Sequence, residues 1–302
     1  MSSPLFSVVI ANYNYGRFLA DAIESVIAQG MCDEVELIIC DGGSTDNSVE
    51  IIKKYANGLP PNTHRTDWRS PGLQLEAPAA NLISWWCSEK DGGQSAAFNK
   101  GFSHAKGRLL TWLNADDILT PGALRAVARV IGEYPDCEWC IGSSCYADET
   151  LRVTKCFCAH AFSPVRARWG VLTVGGPSTF FSSRLFAMAG GCDESLHYVM
   201  DTDLWYKFYF RCNVRYRRTL HNIFAYRRHE ASKMSGADDY KTERALENRR
   251  RSREEAKILD DRYNRRKGFI FVLAHILSFS FKDKVVAWWR DICWRGRDAR
   301  EI

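Results

Sequence analysis

FSVVIANYNYGRFLADAIESVIAQGMCDEVELIICDGGSTDNS, residues 6–48, decides the fold class. Phe6–Ala11 is an unbroken apolar run of strand length, and Arg17–Gln29 follows with Phe18, Ile23, Val26 and Ile27 at helical spacing. Val35–Cys40 is a second buried strand. Asp41-Gly42-Gly43 is a turn, and Ser44–Ser48 offers N-cap residues to a helix through Ile51 and Tyr55. Working outward, Leu82–Ser88 and Arg108–Leu113 read as further strands, with a helix over Ser95–His104 between them. Strands apolar on both faces that alternate with amphipathic helices belong to a parallel sheet covered on both sides. The chain is therefore an α/β protein. The segment from Gly58 to Leu82, with Pro60, Pro61, Pro71 and Pro78, has no period and reads as a long surface loop. Beyond Thr120-Pro121-Gly122 the pattern turns mixed: a hairpin over 138–158, a helix over 161–170 and a strand over 177–183. A helix over Asp203–Arg211 and a strand near Val214–Leu220 complete it, with Trp85, Trp86 and Trp205 expected in the core.

The 302 residues are 46% hydrophobic and 25% charged, a globular composition that excludes a disordered or collagen-like chain. Charge is uneven: residues 241–302 carry net +7, and residues 1–240 carry net −2. A near-neutral body lacks the basic face of a dedicated nucleic-acid binder, so no nucleic acid is expected as partner. The cysteines number eleven, an odd count, and MSSPLFSVVIANYN runs straight into a strand without a leader pattern. Reduced thiols and a cytoplasmic location are the expectation. Cys137, Cys140, Cys145, Cys156 and Cys158 read as packed strand cysteines in preference to a zinc site.

Gly268–Phe281, a largely apolar stretch of 14 residues between Lys267 and Lys282, would make a helix of about 21 Å against a hydrocarbon core of about 30 Å. It is a soluble core helix or, with the nearby Trp288, Trp289 and Trp294, an interfacial one giving peripheral contact with the cytosolic face of a membrane. Residues 241–266 are polar all round, with Glu247/Arg251 and Arg251/Glu255 at helical spacing, and read most simply as a solvated helix, or as one docked through few contacts.

Parallel sheets bind ligands beyond the carboxyl ends of their strands. The four strands end in Asn12-Tyr13-Asn14, Asp41-Gly42-Gly43-Ser44, Glu89-Lys90-Asp91-Gly92 and Asn114-Ala115-Asp116-Asp117. Each delivers a carboxylate or carboxamide to one edge. A dinucleotide fingerprint and a P-loop are both missing. The adjacent Asp116 and Asp117 suit a hard divalent cation that neutralises a diphosphate; Asp117 opening the next helix is the plainer alternative.

These segments, with SEKDGGQSAAFNKGF, LLTWLNADD, GGPSTFFSSRLF, GGCDESLHYVMDTDLW and YRRHEASKMS, occur in an order that resembles family 2 glycosyltransferases of the GT-A fold, such as those building bacterial polysaccharides and cell-surface glycans. The resemblance runs from residue 6 to about 236. It implies a GT-A domain over 1–236, with a nucleotide-sugar half to about 120 and an acceptor half over 121–236, followed by a basic helical tail, 237–302. It implies that Asn12 and Tyr13 contact the nucleotide, that Asp41 bonds the base, and that Asp91 and Gly92 meet the nucleotide from the third loop. Asn99 and Lys100 match the family's N-K-G turn. Asn114-Ala115-Asp116 occupies the metal-binding D-x-D position, with Asp116 as ligand to Mg²⁺ or Mn²⁺. The first Asp of that motif is Asn114 here, which makes its contact with the donor a neutral one. Asp201 matches the catalytic base, with helix capping as its alternative role. His229 completes the metal shell, contacts phosphate together with Arg227 and Arg228, or is a surface residue of a basic loop.

The implied reaction is inverting transfer from a nucleotide-diphosphate sugar, UDP-linked in the commonest case, to a hydroxyl of a glycan or lipid-linked acceptor. The alternatives are a non-catalytic nucleotide-sugar or glycan-binding protein on the same fold, and a nucleotidyltransferase. The second would need a basic glycine loop after the first strand, where only Arg17 lies close.

Overall fold

A computed structural model describes residues 3–58, 82–168, 172, 174–233, 243–264 and 281–302. Most of the Pro-rich loop and all but the last residue of the Gly268–Phe281 segment lie outside them. The expected strand–helix alternation is present: β1 (Phe6–Asn12), α1 (Gly16–Ile27), β2 (Val35–Asp41), α2 (Ser48–Ala56), β3 (Ile83–Ser88), α3 (Gln94–Ser103) and β4 (Leu109–Asn114). There follow β5 (Ile118–Leu119), α4 (Ala123–Glu133), β6 (Trp139–Ala147), β7 (Val153–Phe157), α5 (Pro164–Arg168), β8 (Thr179–Ser182) and α6 (Ser183–Ala189). The chain continues with α7 (Met200–Tyr206), which runs into a π-helical turn over Lys207–Arg211, then β9 (Arg217–Arg227), α8 (Glu243–Arg262) and α9 (Phe281–Trp294).

One sheet runs in the order β3-β2-β1-β4-β8-β6-β9-β5, with β7 on the free part of β6. The first four strands are mutually parallel; β8 joins β4 and β6 antiparallel, and β9 lies parallel to β6. This is the α/β arrangement expected from the sequence, a parallel half continued by a mixed half.

The period of two along β1 sorts its side chains to two cores. Phe6, Val8 and Ile10 pack with Leu19 and Ile23 of α1, Ile52 of α2 and Val127 of α4. Val9 faces the other way, towards Phe98 and Phe102 of α3, Leu185 of α6 and Trp205 of α7. Trp205 is buried as expected and stacks on Trp112 at 5.4 Å, with the rings 2° from parallel. Burial of each such side chain contributes on the order of 1.5–3 kcal/mol.

Two expectations change and one alternative is decided. Trp85 and Trp86 are half-buried, because β3 is the edge strand; Trp85 instead stacks on His104 at 3.8 Å. The last strand runs over Arg217–Arg227, beyond the expected Val214–Leu220, since RRTLHNIFAYR alternates too weakly to mark its end. Helix α8 is docked, not merely solvated. Arg251 pairs with Glu247 as spaced (2.9 Å), but Glu255 turns inward, Leu259 is buried, and Arg262 bridges Asp193 and Asp203, each at 2.8 Å. Cys145 and Cys156 face each other across the β6–β7 pair as packed thiols, which burial pushes up to about 12 and about 11.

Candidate active site

The carboxyl ends of β1, β2, β3 and β4 open onto one cavity of about 1200 Å³. Asn12, Tyr13, Asp91, Asn114, Ala115, Asp116 and Asp201 line it, so seven of the residues singled out by sequence converge on one space. Asp41 sits behind that wall, 1% exposed, and holds it together. Its carboxylate accepts from Asn12 Nδ2 (2.6 Å), Ser88 Oγ (2.6 Å) and both the amide and hydroxyl of Ser44 (2.9 and 2.5 Å). Burial alone would raise this carboxyl. The hydrogen bonds from Ser44, Ser88 and Asn12 outweigh it and hold the group below the usual carboxylate range. Asn12 is thereby fixed with its Oδ1 buried and without a hydrogen-bond partner among the described residues. Tyr13 is 59% exposed at the cavity mouth. Asp91 accepts from the Gly93 amide at 2.9 Å, which shapes the turn into α3.

Gly92, Asn99 and Lys100 are placed differently. None of them lines the cavity. Asn99 bridges to the Gly191–Glu194 turn: it accepts from Cys192 N (2.9 Å) and donates to Cys192 O (3.0 Å) and Glu194 Oε1 (2.8 Å). Lys100 pairs with Glu89 at 2.9 Å on the surface.

Beyond β4, Asn114 accepts from Gln94 Nε2 (2.6 Å) and donates to Asp117 Oδ2 (2.7 Å). Asp117 is fully buried, and its other oxygen accepts from Arg227 N at 2.9 Å, tying the β4 end to the β9 end. Burial and the neighbouring Asp116 carboxylate push the Asp117 carboxyl well above its ordinary range. Asp116 meets His229: Nε2 lies 3.0 Å from Asp116 Oδ2, and Nδ1 lies 3.3 Å from Arg17 Nη2. His229 is 1% exposed, packed against Phe18 and Tyr15, which corrects the surface reading. Arg227 is buried in an ion pair with Asp21 (2.8 Å), whereas Arg228 reaches the cavity wall.

Among the described residues no group of three or more His, Cys, Asp or Glu side chains could hold a metal alone. The donor set that is present, one carboxylate and one imidazole, fits an ion whose remaining ligands are phosphate oxygens and water, the usual manner of Mg²⁺. It does not fit an all-protein cage.

Asp201 stands in the first turn of α7. The two acids of that turn divide sharply. Asp203 is structural, fully buried within 3.0 Å of Lys207 Nζ and 2.8 Å of Arg262 Nη1. Asp201 faces the cavity, with Oδ1 accepting from the Thr202 amide and hydroxyl (2.6 and 3.2 Å). The N-cap position belongs to Val199, so capping is not the role of Asp201. Burial raises its carboxyl above the ordinary value; the Thr202 bonds and Lys233 oppose this only in part. A Cβ on Gly176 would stand 3.1 Å from Asp201 Oδ2, so glycine there keeps the approach to the carboxylate open.

Sequence reasoning overlooked Lys233 and the aromatic wall of Tyr146, Phe157 and Tyr226, which line the same cavity as Arg228. Lys233 sits inside the YRRHEASKMS segment, and that was its only signal. Tyr146 meets Phe157 at 4.6 Å and Tyr226 at 5.5 Å, contacts between β6, β7 and β9 that no local pattern encodes.

The sequence model of glycosyl transferase family 2 matches residues 7–70 and 86–181, more than half of the chain. The chain belongs to this family. An uncharacterized glycosyltransferase of Mycobacterium tuberculosis is 30% identical over 205 residues, 67% of this chain and 68% of that protein. The first matching curated relatives are spanned over 32% to 68% of their own lengths. Two solved structures share the fold of this family 2 enzyme. TarS of S. aureus in complex with UDP-GlcNAc has a TM-score of 0.56 and 16% identity, over 93% of this chain and 78% of that one. A mannosyltransferase of Pyrobaculum calidifontis in complex with GDP-Man and Mn²⁺ has a TM-score of 0.53 and 13% identity, over 97% and 88%. Family 2 membership places the chain among the glycosyltransferases.

Proposed function

We propose that this glycosyltransferase inverts the anomeric centre, taking a sugar from a UDP-linked donor to a hydroxyl of a glycan or lipid-linked acceptor, with Asp201 as general base. One observation carries the reading: the donor-side residues at the ends of β1 and β4 and the cavity-facing carboxylate of α7 line the same space. Asn12, oriented by Asp41, offers a buried acceptor to a base N–H, and Tyr13, Asp91 and Asn114 flank it. TarS, crystallised with UDP and with UDP-GlcNAc, supports uridine; the neighbour holding GDP-Man keeps guanosine as the competing outcome.

An acceptor hydroxyl is a poor nucleophile until a carboxylate takes its proton during attack. Asp201 receives that proton. The acceptor oxygen bonds to the anomeric carbon as the bond to the diphosphate breaks on the opposite face, and the electron pair leaves with the diphosphate. A single displacement of this kind inverts the configuration. Asp116 and His229 would hold Mg²⁺ or Mn²⁺, which when bound stabilises the leaving charge. Arg228 and Lys233 add positive charge to the wall of the same cavity.

Calorimetric titration of UDP, GDP and CMP, with and without Mn²⁺, on the wild type and on Asp116→Ala tests the reading. Metal-dependent UDP binding that is lost in the variant is expected. Binding of GDP alone would replace the donor, and binding of no nucleotide would favour a non-catalytic protein on this fold.

A further inference from the structure

Helix α9 has one buried and one bare face. On the buried face Asp291 Oδ1 accepts from Cys156 N of β7 at 3.0 Å, and Trp294 packs onto the cluster of Ile118, Cys145, Cys156 and Ala299. On the other, Val285, Trp288, Trp289 and Ile292 are 43%, 65%, 57% and 60% exposed. Their spacing of three, four and seven residues puts all four on one stripe. A single exposed apolar residue is ordinary; a contiguous stripe with two tryptophans marks an interaction surface. The surroundings are cationic: Lys284, Arg295 and Arg297 are exposed, and residues 241–302 carry net +7 against −2 for the rest of the chain. Tryptophan settles at the boundary between headgroups and acyl chains, while Lys and Arg gain from anionic headgroups. Among the described residues no helix is long and apolar enough to cross a membrane, so a helix lying in the interface is the mode this composition suits.

We infer that the Val285–Ile292 face of α9 is a docking surface for an anionic lipid bilayer.

Flotation of the full chain with phosphatidylcholine vesicles, with and without phosphatidylglycerol, tests the contact. The wild type is expected to float with the anionic vesicles and to be released by high salt. A Trp288→Ser/Trp289→Ser double variant is expected to lose binding by about tenfold or more while keeping wild-type nucleotide affinity and melting temperature. Absence of wild-type flotation, or equal flotation of the variant, overturns the inference. So does a dimer in light scattering that the variant converts to monomer, which would assign the face to a second copy of the chain. Flotation without any nucleotide binding would defeat the transferase reading alone.

Discussion

Replacing Glu255 with alanine should damage catalysis from a helix that never reaches the cavity. Its carboxylate accepts from the backbone amides of His197 (2.9 and 3.1 Å), Tyr198 (2.7 Å) and Val199 (3.2 Å), the residues that lead into α7 and Asp201. Water can replace the bond to His197, which is exposed; the Tyr198 and Val199 amides are partly buried. At the low end for a charge-assisted bond, about 1.5 kcal/mol each, their loss removes about 2–3 kcal/mol of restraint at the start of α7. If Asp201 needs that restraint in the transition state, kcat falls by about 30- to 150-fold. Donor affinity should not follow, because the ends of β1, β2 and β4 make no contact with Glu255 through these bonds. Glu255→Gln keeps one neutral acceptor oxygen and should recover part of the rate. Steady-state kinetics with varied donor, beside UDP calorimetry on both variants, reads this out. A kcat within twofold of wild type refutes the reasoning, as does a UDP affinity that falls in parallel, since that pattern means general loosening of the fold.

Three further outcomes follow from the same geometry. Asp201→Asn should cost about 10²–10⁴ in kcat and leave nucleotide binding intact; because burial raises this carboxyl and the base acts ionised, the wild-type rate should climb with pH through a limb lying above 3.8. Asp41, held below 3.8 in the fold, contributes stability that is present at neutral pH and lost as pH falls from 3.8 through its folded value. The melting-temperature gap between wild type and Asp41→Asn should therefore narrow on acidification. Gly107→Ala would set a Cβ 2.6 Å from Ser7 N and 2.7 Å from Phe6 C, backbone atoms that cannot swing aside, so a loss of about 1–3 kcal/mol is expected in denaturant titration.

The parallel half was legible because its order is local. FSVVIA and VELIIC are buried on both faces, and each ends in the polar residue that the parallel register brings to the cavity edge. Asp201 and Asp203 looked equivalent in the sequence. What separates them is Lys207 and the distant Arg262 and Tyr263, which close around Asp203 and leave Asp201 to the cavity. Asn99 and Lys100 matched a motif, yet they lie at the end of α3 away from the cavity, where Asn99 holds the turn before α7. The inward turn of Glu255 was hidden for a similar reason: on a helix polar all round, spacing alone makes Arg251 its natural partner.

The asparagine that opens Asn114-Ala115-Asp116 has a meaning beyond its neutrality. It donates a hydrogen bond to Asp117 Oδ2 and accepts one from Gln94 Nε2, a pair of roles closed to an ionised carboxylate. An aspartate at 114 would confront the buried Asp117 with a second acceptor, next to Asp116, so that one of the three carboxyls would have to hold a proton. The two positions thus form a coupled choice: an acidic residue at 114 becomes tolerable only if 117 turns neutral. In this chain the carboxamide at 114 leaves the cavity wall one negative charge poorer than the commoner motif would, while Asp117 in the interior ties the β4 end to the β9 end.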